Sequence, residues 1–385
     1  MIKKLGLIIF VMGLIIAFAL PAFAFLGEDG KGNRFMLGGI YMTDVGYWNR
    51  SKEMTGTGSD QTQFFLAVPS NSRFNGFIEA GNAGAFWEFG MGYYATAVNG
   101  TGVGSNNVVS TRKIYGYYNF GNCYFEAGKN DNWLGGFNPQ QRLGLMQDDH
   151  VNGYGWGANY EGRWAQVRFT QQVSKEFGYA ISLVSPTTAV DSTRTSYASF
   201  PIIAAKVMLN FGVVSLQPAA YFTQMKWDNM PSGYDDNFTS WLGILPVKVV
   251  AGPFTGLFQI GYGQNISNVL GTPTNPLQVY QRTATGAVKN TTALNGFFDL
   301  AYTIGPVTPH VYVGYDQASN SDGWTVGENS NTRMMYGISV MYLVTKNFGI
   351  SPEFTYYDWG KRPNTAGSPD IGKEWLAGVQ FVWTF

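Results

Sequence analysis

The sequence is poor in charge and contains a single cysteine. Only 13% of its 385 residues are Asp, Glu, Lys or Arg, whereas a typical soluble protein carries about 25%. The 25 basic residues balance 25 acidic ones, which excludes the strong positive field of a nucleic-acid-binding protein. Cys123 has no second cysteine to pair with, so the fold must be stable without an internal disulfide.

Residues suited to catalysis and metal binding are also scarce. The two histidines, His150 and His310, form no HExxH zinc motif, and the chain has neither a G-x-S-x-G elbow nor a G-x-x-x-x-G-K-[ST] loop. Asp148 and Asp149 precede His150 and offer oxygen ligands, but acidic pairs in loops are usually solvated. We therefore expect no enzymatic activity, no cofactor and no metal site.

Long apolar runs are absent except at the N-terminus. A bundle of membrane helices would need repeated runs of about 20 apolar residues. The one run present follows Lys3 and Lys4 and ends at an A-x-A site, Ala22 to Ala24, which is typical of a secretory signal peptide. We predict that residues 1–24 are cleaved and that 25–385 form the mature protein; an uncleaved helical anchor is the alternative.

Glycine and aromatic residues are abundant, and the rest of the chain alternates between apolar and polar residues with a period of two, the pattern of β-strands. The C-terminus has the clearest alternation. One face carries apolar side chains: Trp375, Ala377, Val379, Phe381, Trp383 and Phe385. The opposite face carries mostly polar residues or glycine: Glu374, Gly378, Gln380 and Thr384. A packed soluble core would not tolerate such an inner face.

Two further features favour a transmembrane barrel over a soluble one. Aromatic residues occur near the strand ends, where they would form an interfacial girdle: Trp241, Tyr302, Tyr342, Tyr356, Trp375 and Trp383. Very short connections, such as Gly252-Pro253 and Lys346-Asn347, alternate with long ones. Tight turns at one rim and long loops at the other are typical of outer-membrane barrels.

The alternation predicts an all-β fold: one transmembrane antiparallel β-barrel of sixteen strands, with eighteen as the alternative. An even number returns the C-terminus to the rim where the first strand begins, which closure requires. Pro69 falls inside the second strand, where it lacks a hydrogen-bond donor, so we expect a kink or bulge there.

The third long loop, residues 131–163, is rich in apolar residues, including Trp133, Leu143 and Trp156. A connection of this length is usually functional or disordered, and its composition argues against disorder. We expect it to fold inward against the barrel wall, where it would narrow the pore.

The whole mature region resembles the Gram-negative outer-membrane porins of the general-diffusion type. The shared features are the signal peptide, the aromatic last strand ending in Phe385, and the long loop after the fifth strand. Those porins are trimers of sixteen-stranded barrels whose third loop narrows the channel. The resemblance implies outer-membrane localisation, lipid contact, a homotrimer, and recognition of the strand ending in Phe385 by the barrel assembly machinery.

In that family, acids on the inward loop face basic residues on the opposite wall. Carried over by position, the constriction would comprise Asp131, Arg142, Asp148, Asp149, Glu161 and Arg163 on the loop, with Arg73 and Lys113 on the wall. Strand parity places further charges on the pore wall: Glu79, Glu88, Glu126, Arg168, Lys206, Lys248, Asp299 and Arg333. The loop's net negative charge favours cations weakly, while the spread of bases over many strands argues against a strong transverse field.

The function expected from these features is passive diffusion of small hydrophilic solutes and ions through a water-filled channel of weak selectivity. One alternative is a substrate-specific channel for a sugar or another small solute, in which Trp133, Trp156 and Trp164 would stack on the substrate. The other is a structural or adhesive barrel that conducts nothing.

Overall fold

The computed structural model describes residues 25–69, 71–95, 108–131, 137, 140–143, 156–159, 162–186, 196–228, 230–269, 281–282, 285–320, 326–363 and 365–385. The predicted signal peptide lies outside these ranges, so its cleavage stays a prediction. Within them, no helix has the length and apolar character needed to cross a bilayer. The described helical segments are α1, Lys52–Thr55, and a 3₁₀ turn, Ile266–Asn268.

The described fold is all-β, and its strands are numbered here in barrel order. The first five are β1 Arg34–Arg50, β2 Gln61–Val68 continuing as Arg73–Ala80, β3 Ala83–Ala95, β4 Val108–Asn119 and β5 Cys123–Asp131. The next five are β6 Arg163–Gln172, β7 Phe177–Val184, β8 Ser196–Ala198 continuing as Ile202–Asn210, β9 Val214–Leu216 continuing as Ala219–Trp227, and β10 Asn237–Ala251. The last six are β11 Phe254–Gln264, β12 Thr292–Tyr302, β13 Val307–Ser319, β14 Ser330–Thr345, β15 Phe348–Asp358 and β16 Lys373–Thr384.

Each strand pairs antiparallel with its neighbour in sequence, and the last strand returns to the first. The barrel closes where β1 pairs with β16 in a register that runs from Ile40 opposite Thr384 to Arg50 opposite Glu374. Closure gives every strand two hydrogen-bonded neighbours, the condition for a sheet surrounded by lipid. The predicted sixteen-stranded antiparallel barrel is confirmed.

The two faces of the wall differ in chemistry, as β12 illustrates. On β12, Phe298, Leu300 and Tyr302 point outward and are exposed, whereas Asn295 and Asp299 point inward and are buried. Outward apolar residues beside inward polar ones are the pattern of a barrel whose outer surface meets lipid. The six predicted girdle aromatics all lie on the outward face by this alternation.

Short turns join the strands at one rim. Gly121, Gly212, Gly252 and Gly305 adopt positive φ there, a conformation that glycine enters without steric cost. At the other rim lie the strand ends from which the long connections leave. A short N-terminal strand, Phe25–Glu28, pairs with the start of β1 at the short-turn rim.

Two irregularities change which side chains face inward. β2 is interrupted at Pro69, as predicted, and the Ser72 hydroxyl contacts the Met42 backbone N–H at 3.0 Å across the gap. Between β3 and β4 the register shifts, so that Glu88 lies opposite Lys113 and Phe89 opposite Thr111. The extra residue is Arg112, and this β-bulge brings its side chain into the interior, where it is buried.

Candidate functional site

The described parts of the third loop lie inside the barrel and are held by hydrogen bonds from the wall. The backbone N–H of Gln140 donates to the Asp299 carboxylate on β12 at 2.6 Å. The N–H groups of Arg142 and Leu143 both donate to Oε2 of Glu353 on β15, the second at 3.1 Å. These carboxylates replace the water that the loop backbone would otherwise need.

A second part of the loop, residues 156–159, lies against β12 to β15. The ring of Trp156 packs under the Arg333 guanidinium at 4.3 Å, and Arg333 pairs with Asp316 at 3.0 Å. Asn159 and Asn295 exchange two side-chain hydrogen bonds, at 2.9 and 2.7 Å. The contact is as close as backbones allow, because a Cβ built on Gly314 would lie 1.8 Å from the Trp156 carbonyl oxygen.

Apolar packing completes the docking of the loop. Leu143 and Trp156 are buried in one cluster with residues of the wall: Phe65, Tyr312, Met335, Tyr357 and Leu376. Phe137 packs against a second cluster that contains Leu257 and Phe297. The described loop residues therefore fold inward against the wall, as predicted, and they occupy the side of the lumen formed by β11 to β16 with β1 and β2. Trp156 is only 1% exposed and so cannot serve as a sugar-stacking platform.

A second inward segment was missed by the sequence reasoning. The 3₁₀ turn after β11 places Ile266 and Val269 in a buried cluster with inward residues of β7 to β12, among them Val184, Ile202 and Leu242. Trp164, proposed as a stacking residue, packs half-buried against the same cluster. The sequence did contain a signal for this turn: Ile266 and Val269 lie three residues apart among polar residues, the spacing that puts two apolar side chains on one face of a helical turn.

Inward charges gather on the opposite side of the barrel, on β2 to β8. Glu88 on β3 is bridged by Arg112 on β4 at 2.7 Å and by Arg73 on β2 at 3.2 Å. Asp131, at the end of β5, pairs with Lys113 and with Arg163, the latter at 3.2 Å. The predicted constriction residues Arg73, Lys113, Asp131 and Arg163 thus lie within two ion-pair groups on neighbouring strands.

Two predicted pore-wall charges, Arg168 and Lys206, extend this row of inward charges around the barrel. Arg168 on β6 pairs with Glu126 on β5 at 3.3 Å, and both side chains are buried. Lys206 on β8 is also buried and donates to the Gln217 side chain at 3.2 Å. The arc is defined as nine charges on β2 to β8, six bases and three acids: Arg73, Arg112, Lys113, Arg163, Arg168, Lys206, Glu88, Glu126 and Asp131. Glu79 also points inward on β2, but it pairs with Arg34 toward the short-turn rim and is not counted in the arc.

The remaining predicted residues lie elsewhere. Asp299 and Arg333 anchor the loop, and Glu79 contacts Arg34 and the Tyr117 hydroxyl (2.5 Å) toward the short-turn rim. Lys248 is exposed near the short-turn end of β10. Three further predicted residues lie outside the described residues: Asp148, Asp149 and Glu161.

Arg142 belongs to the docked segment of the loop. Its carbonyl oxygen accepts a hydrogen bond from the Gln380 amide, and its guanidinium lies 3.8 Å from the Met341 sulfur. Burial lowers the pKa of the Arg142 guanidinium, and the carboxylates of Glu353 and Asp299 oppose that shift. Arginine remains protonated in either case.

The two sides of the lumen carry opposite charge. Opposite the arc, the wall that receives the loop has five buried acids and one buried arginine: Asp44, Asp299, Asp316, Glu353, Glu374 and Arg333. Bases that looked scattered in the sequence converge because β2, β4, β6 and β8 occupy one part of the circumference. Opposed charges across a narrow pore set a transverse field and an ion preference.

Comparison with known proteins identifies the fold. No protein-family model matches the sequence, and a search of curated proteins finds no significant match. Among solved structures, the outer membrane channel DcaP of Acinetobacter baumannii matches with a TM-score of 0.71 at 13% identity, covering 94% of this chain and 100% of that chain.

Two porins match over similar lengths. OmpF of Salmonella typhi, solved in complex with daunomycin, has a TM-score of 0.59 at 13% identity and covers 94% of this chain and 100% of its own. The anion-selective porin from Comamonas acidovorans has a TM-score of 0.56 at 11% identity, covering 92% of this chain and 100% of that chain. The predicted resemblance is confirmed: this chain has the fold of the Gram-negative outer-membrane porins.

Proposed function

We propose that this protein is an outer-membrane porin of a Gram-negative bacterium, a water-filled channel for passive diffusion of small hydrophilic solutes and ions. The carrying observation is the closed sixteen-stranded barrel with an apolar outer face and a charged inner face, narrowed by an inward loop. An apolar outer band fits lipid, and a charged lumen fits water. Neither face suits a soluble protein, and we propose no catalytic role.

We further propose that the channel prefers anions weakly. The loop's net charge favoured cations in the sequence reasoning, but the described inward charges of β2 to β8 comprise six bases and four acids, the three acids of the arc and Glu79. The acids on the other side of the lumen bind the loop or other wall groups, so they contribute less to the water-filled part.

The test is the current through the purified full-length protein in a planar bilayer under a potassium chloride gradient. We expect stable current steps and a small reversal potential of the sign that chloride preference gives. A reversal potential of the opposite sign would overturn the anion preference alone. Silence from correctly folded protein would overturn the channel itself and favour a structural or adhesive barrel.

We also propose a homotrimer, on two grounds. The porins that this chain resembles are trimers, and β1 carries apolar residues on both faces, such as Met42 inward and Tyr41 outward. Chemical crosslinking in mild detergent should yield a three-chain species; monomers alone would contradict this proposal.

A further inference from the structure

A cavity of about 310 Å³ lies in the barrel interior on the arc side, at the level of the middle of β4 to β8. Its lining includes inward residues of all five strands. Binding sites for small molecules typically measure about 300–1,000 Å³. This cavity is therefore of the size that suits a solute with a single ring, and it is too small for a large one.

The lining carries an excess of positive charge. Lys113, Arg168 and Lys206 contribute three cations, and Glu126 contributes one carboxylate. Asp131, which pairs with Lys113 from outside the lining, leaves the local balance positive. Arg168 and Lys206 are both about 95% buried. Charges held this far from bulk water are weakly screened, so they interact strongly with an anion that enters.

Arg168 has donor capacity beyond its existing contacts. One of its terminal nitrogens contacts Glu126 at 3.3 Å, and the other donates both to the side chain of Gln166 at 2.8 Å and to the Asp131 carbonyl oxygen. Its Nε is buried and has no hydrogen-bond partner among the described residues. A buried donor without a partner costs free energy, and the guanidinium that carries it lines the cavity, where its positive charge favours an anion.

The other side of the cavity is aromatic and apolar. The Tyr115 and Tyr124 rings line it together with Met208 and Ala180. Tyr115 stacks on Phe86 at 5.4 Å and Tyr124 stacks on Tyr117 at 5.3 Å. These pairs hold the two lining rings in place beside the cations, which gives the site an apolar wall next to its positive charge.

We propose that this cavity is a binding subsite for small organic anions that carry one flat apolar ring, such as an aromatic monocarboxylate. The carboxylate is held among Lys206, Arg168 and Lys113, and the ring lies against Tyr115 and Tyr124. The inference rests on the proposed channel function, to which it adds a saturable site for one class of solute.

The experiment measures binding and current separately. Benzoate is titrated calorimetrically into the full-length protein in detergent, and benzoate is added to a bilayer that carries single channels in potassium chloride. We expect saturable heat and a saturable decrease in current at the same concentrations. Acetate, which lacks the ring, and benzyl alcohol, which lacks the charge, should each bind at least about tenfold more weakly.

Variants assign the subsite to the cavity. Lys206→Gln should raise the half-blocking benzoate concentration about tenfold, the effect of losing one charge-assisted hydrogen bond, and Lys206→Arg should restore it. Tyr124→Leu should weaken benzoate without weakening acetate. The matched control is Lys175→Gln, because Lys175 is exposed in the turn between β6 and β7, away from the cavity.

Each outcome decides the question. Conducting channels that bind benzoate no better than acetate, by heat and by current, would overturn the subsite and leave the channel function intact. An equal loss of affinity in Lys175→Gln would also overturn it, because the effect would then be long-range. Saturable heat in a protein that conducts nothing would support the subsite and refute the channel.

Discussion

Replacing Glu353 by Ala should undock the third loop. The Glu353 carboxylate accepts hydrogen bonds from the backbone N–H groups of Arg142 and Leu143, and from the Thr355 hydroxyl at 2.8 Å. Its side chain is buried, and so is Leu143. In the variant both N–H groups would be left inside the barrel without an acceptor, unless the loop moves away from the wall to reach water.

The size of the effect follows from those two donors. A buried N–H that loses its partner costs about 1–3 kcal/mol, so the two together weaken docking by roughly 2–6 kcal/mol. Each 1.4 kcal/mol is a factor of about ten in an equilibrium constant. The population of the undocked loop should therefore rise by roughly thirtyfold to ten-thousandfold.

Hydrogen exchange of the amides at 140–143, read by mass spectrometry in detergent, measures that population. Exchange there should accelerate at least about thirtyfold, and single channels should show added current fluctuations. Glu353→Gln, which keeps one acceptor oxygen, should have a smaller effect. Glu79→Ala is the matched control, because Glu79 contacts Arg34 and Tyr117 and no described loop residue. Wild-type exchange rates in Glu353→Ala would refute the docking argument.

Two further variants test the remaining features. Gly314→Ala should lower stability by about 1–3 kcal/mol, because its Cβ would lie 1.8 Å from the Trp156 carbonyl oxygen; thermal unfolding in detergent measures this. Gly116→Ala, whose Cβ would have 3.8 Å of clearance, should be near neutral, and equal effects would contradict the close contact. Arg112→Gln should shift the reversal potential toward cations, because it removes one base from the arc, whereas Lys346→Gln in an exposed turn should not; an unchanged potential would show that Arg112 does not face the permeation path.

The strands could be predicted because lipid on one side and water on the other force a strict alternation. A shift of one residue would place a charge such as Asp299 in lipid. The inward and outward positions of β12 can therefore be assigned from the sequence. The break at Pro69 could also be predicted locally, because proline has no backbone N–H to donate to the neighbouring strand. Arg112 could not be assigned, since the bulge that turns it inward depends on the pairing of β3 with β4 and leaves no mark in the alternation.

The contacts between the third loop and the wall could not be predicted from the local sequence pattern, for a different reason. Asp299 was predicted as a pore-wall acid, and the alternation of β15 turns Glu353 inward in the same way. Parity tells which way a side chain points but not what occupies the space in front of it. The partners of Glu353 and Asp299 lie 211 and 159 positions away in sequence, in a loop without regular structure. The clustering of the bases on β2 to β8 could have been predicted, since strands follow one another around a closed antiparallel barrel in the order of the sequence.

This distinction changes how lumen charge should be counted. Inward acids and bases are similar in number, which by parity alone predicts a nearly neutral pore. The acids on β12 to β15 accept hydrogen bonds from loop backbone or pair with Arg333, so a permeating ion meets the loop before it meets them. The bases of β2 to β8 have fewer acids among them, and three of these bases, Lys113, Arg168 and Lys206, line the cavity. Given the proposed channel function, we therefore expect a diffusing anion to find its favourable surface on the arc side only. The transverse field would then follow from where the loop docks rather than from the number of charges.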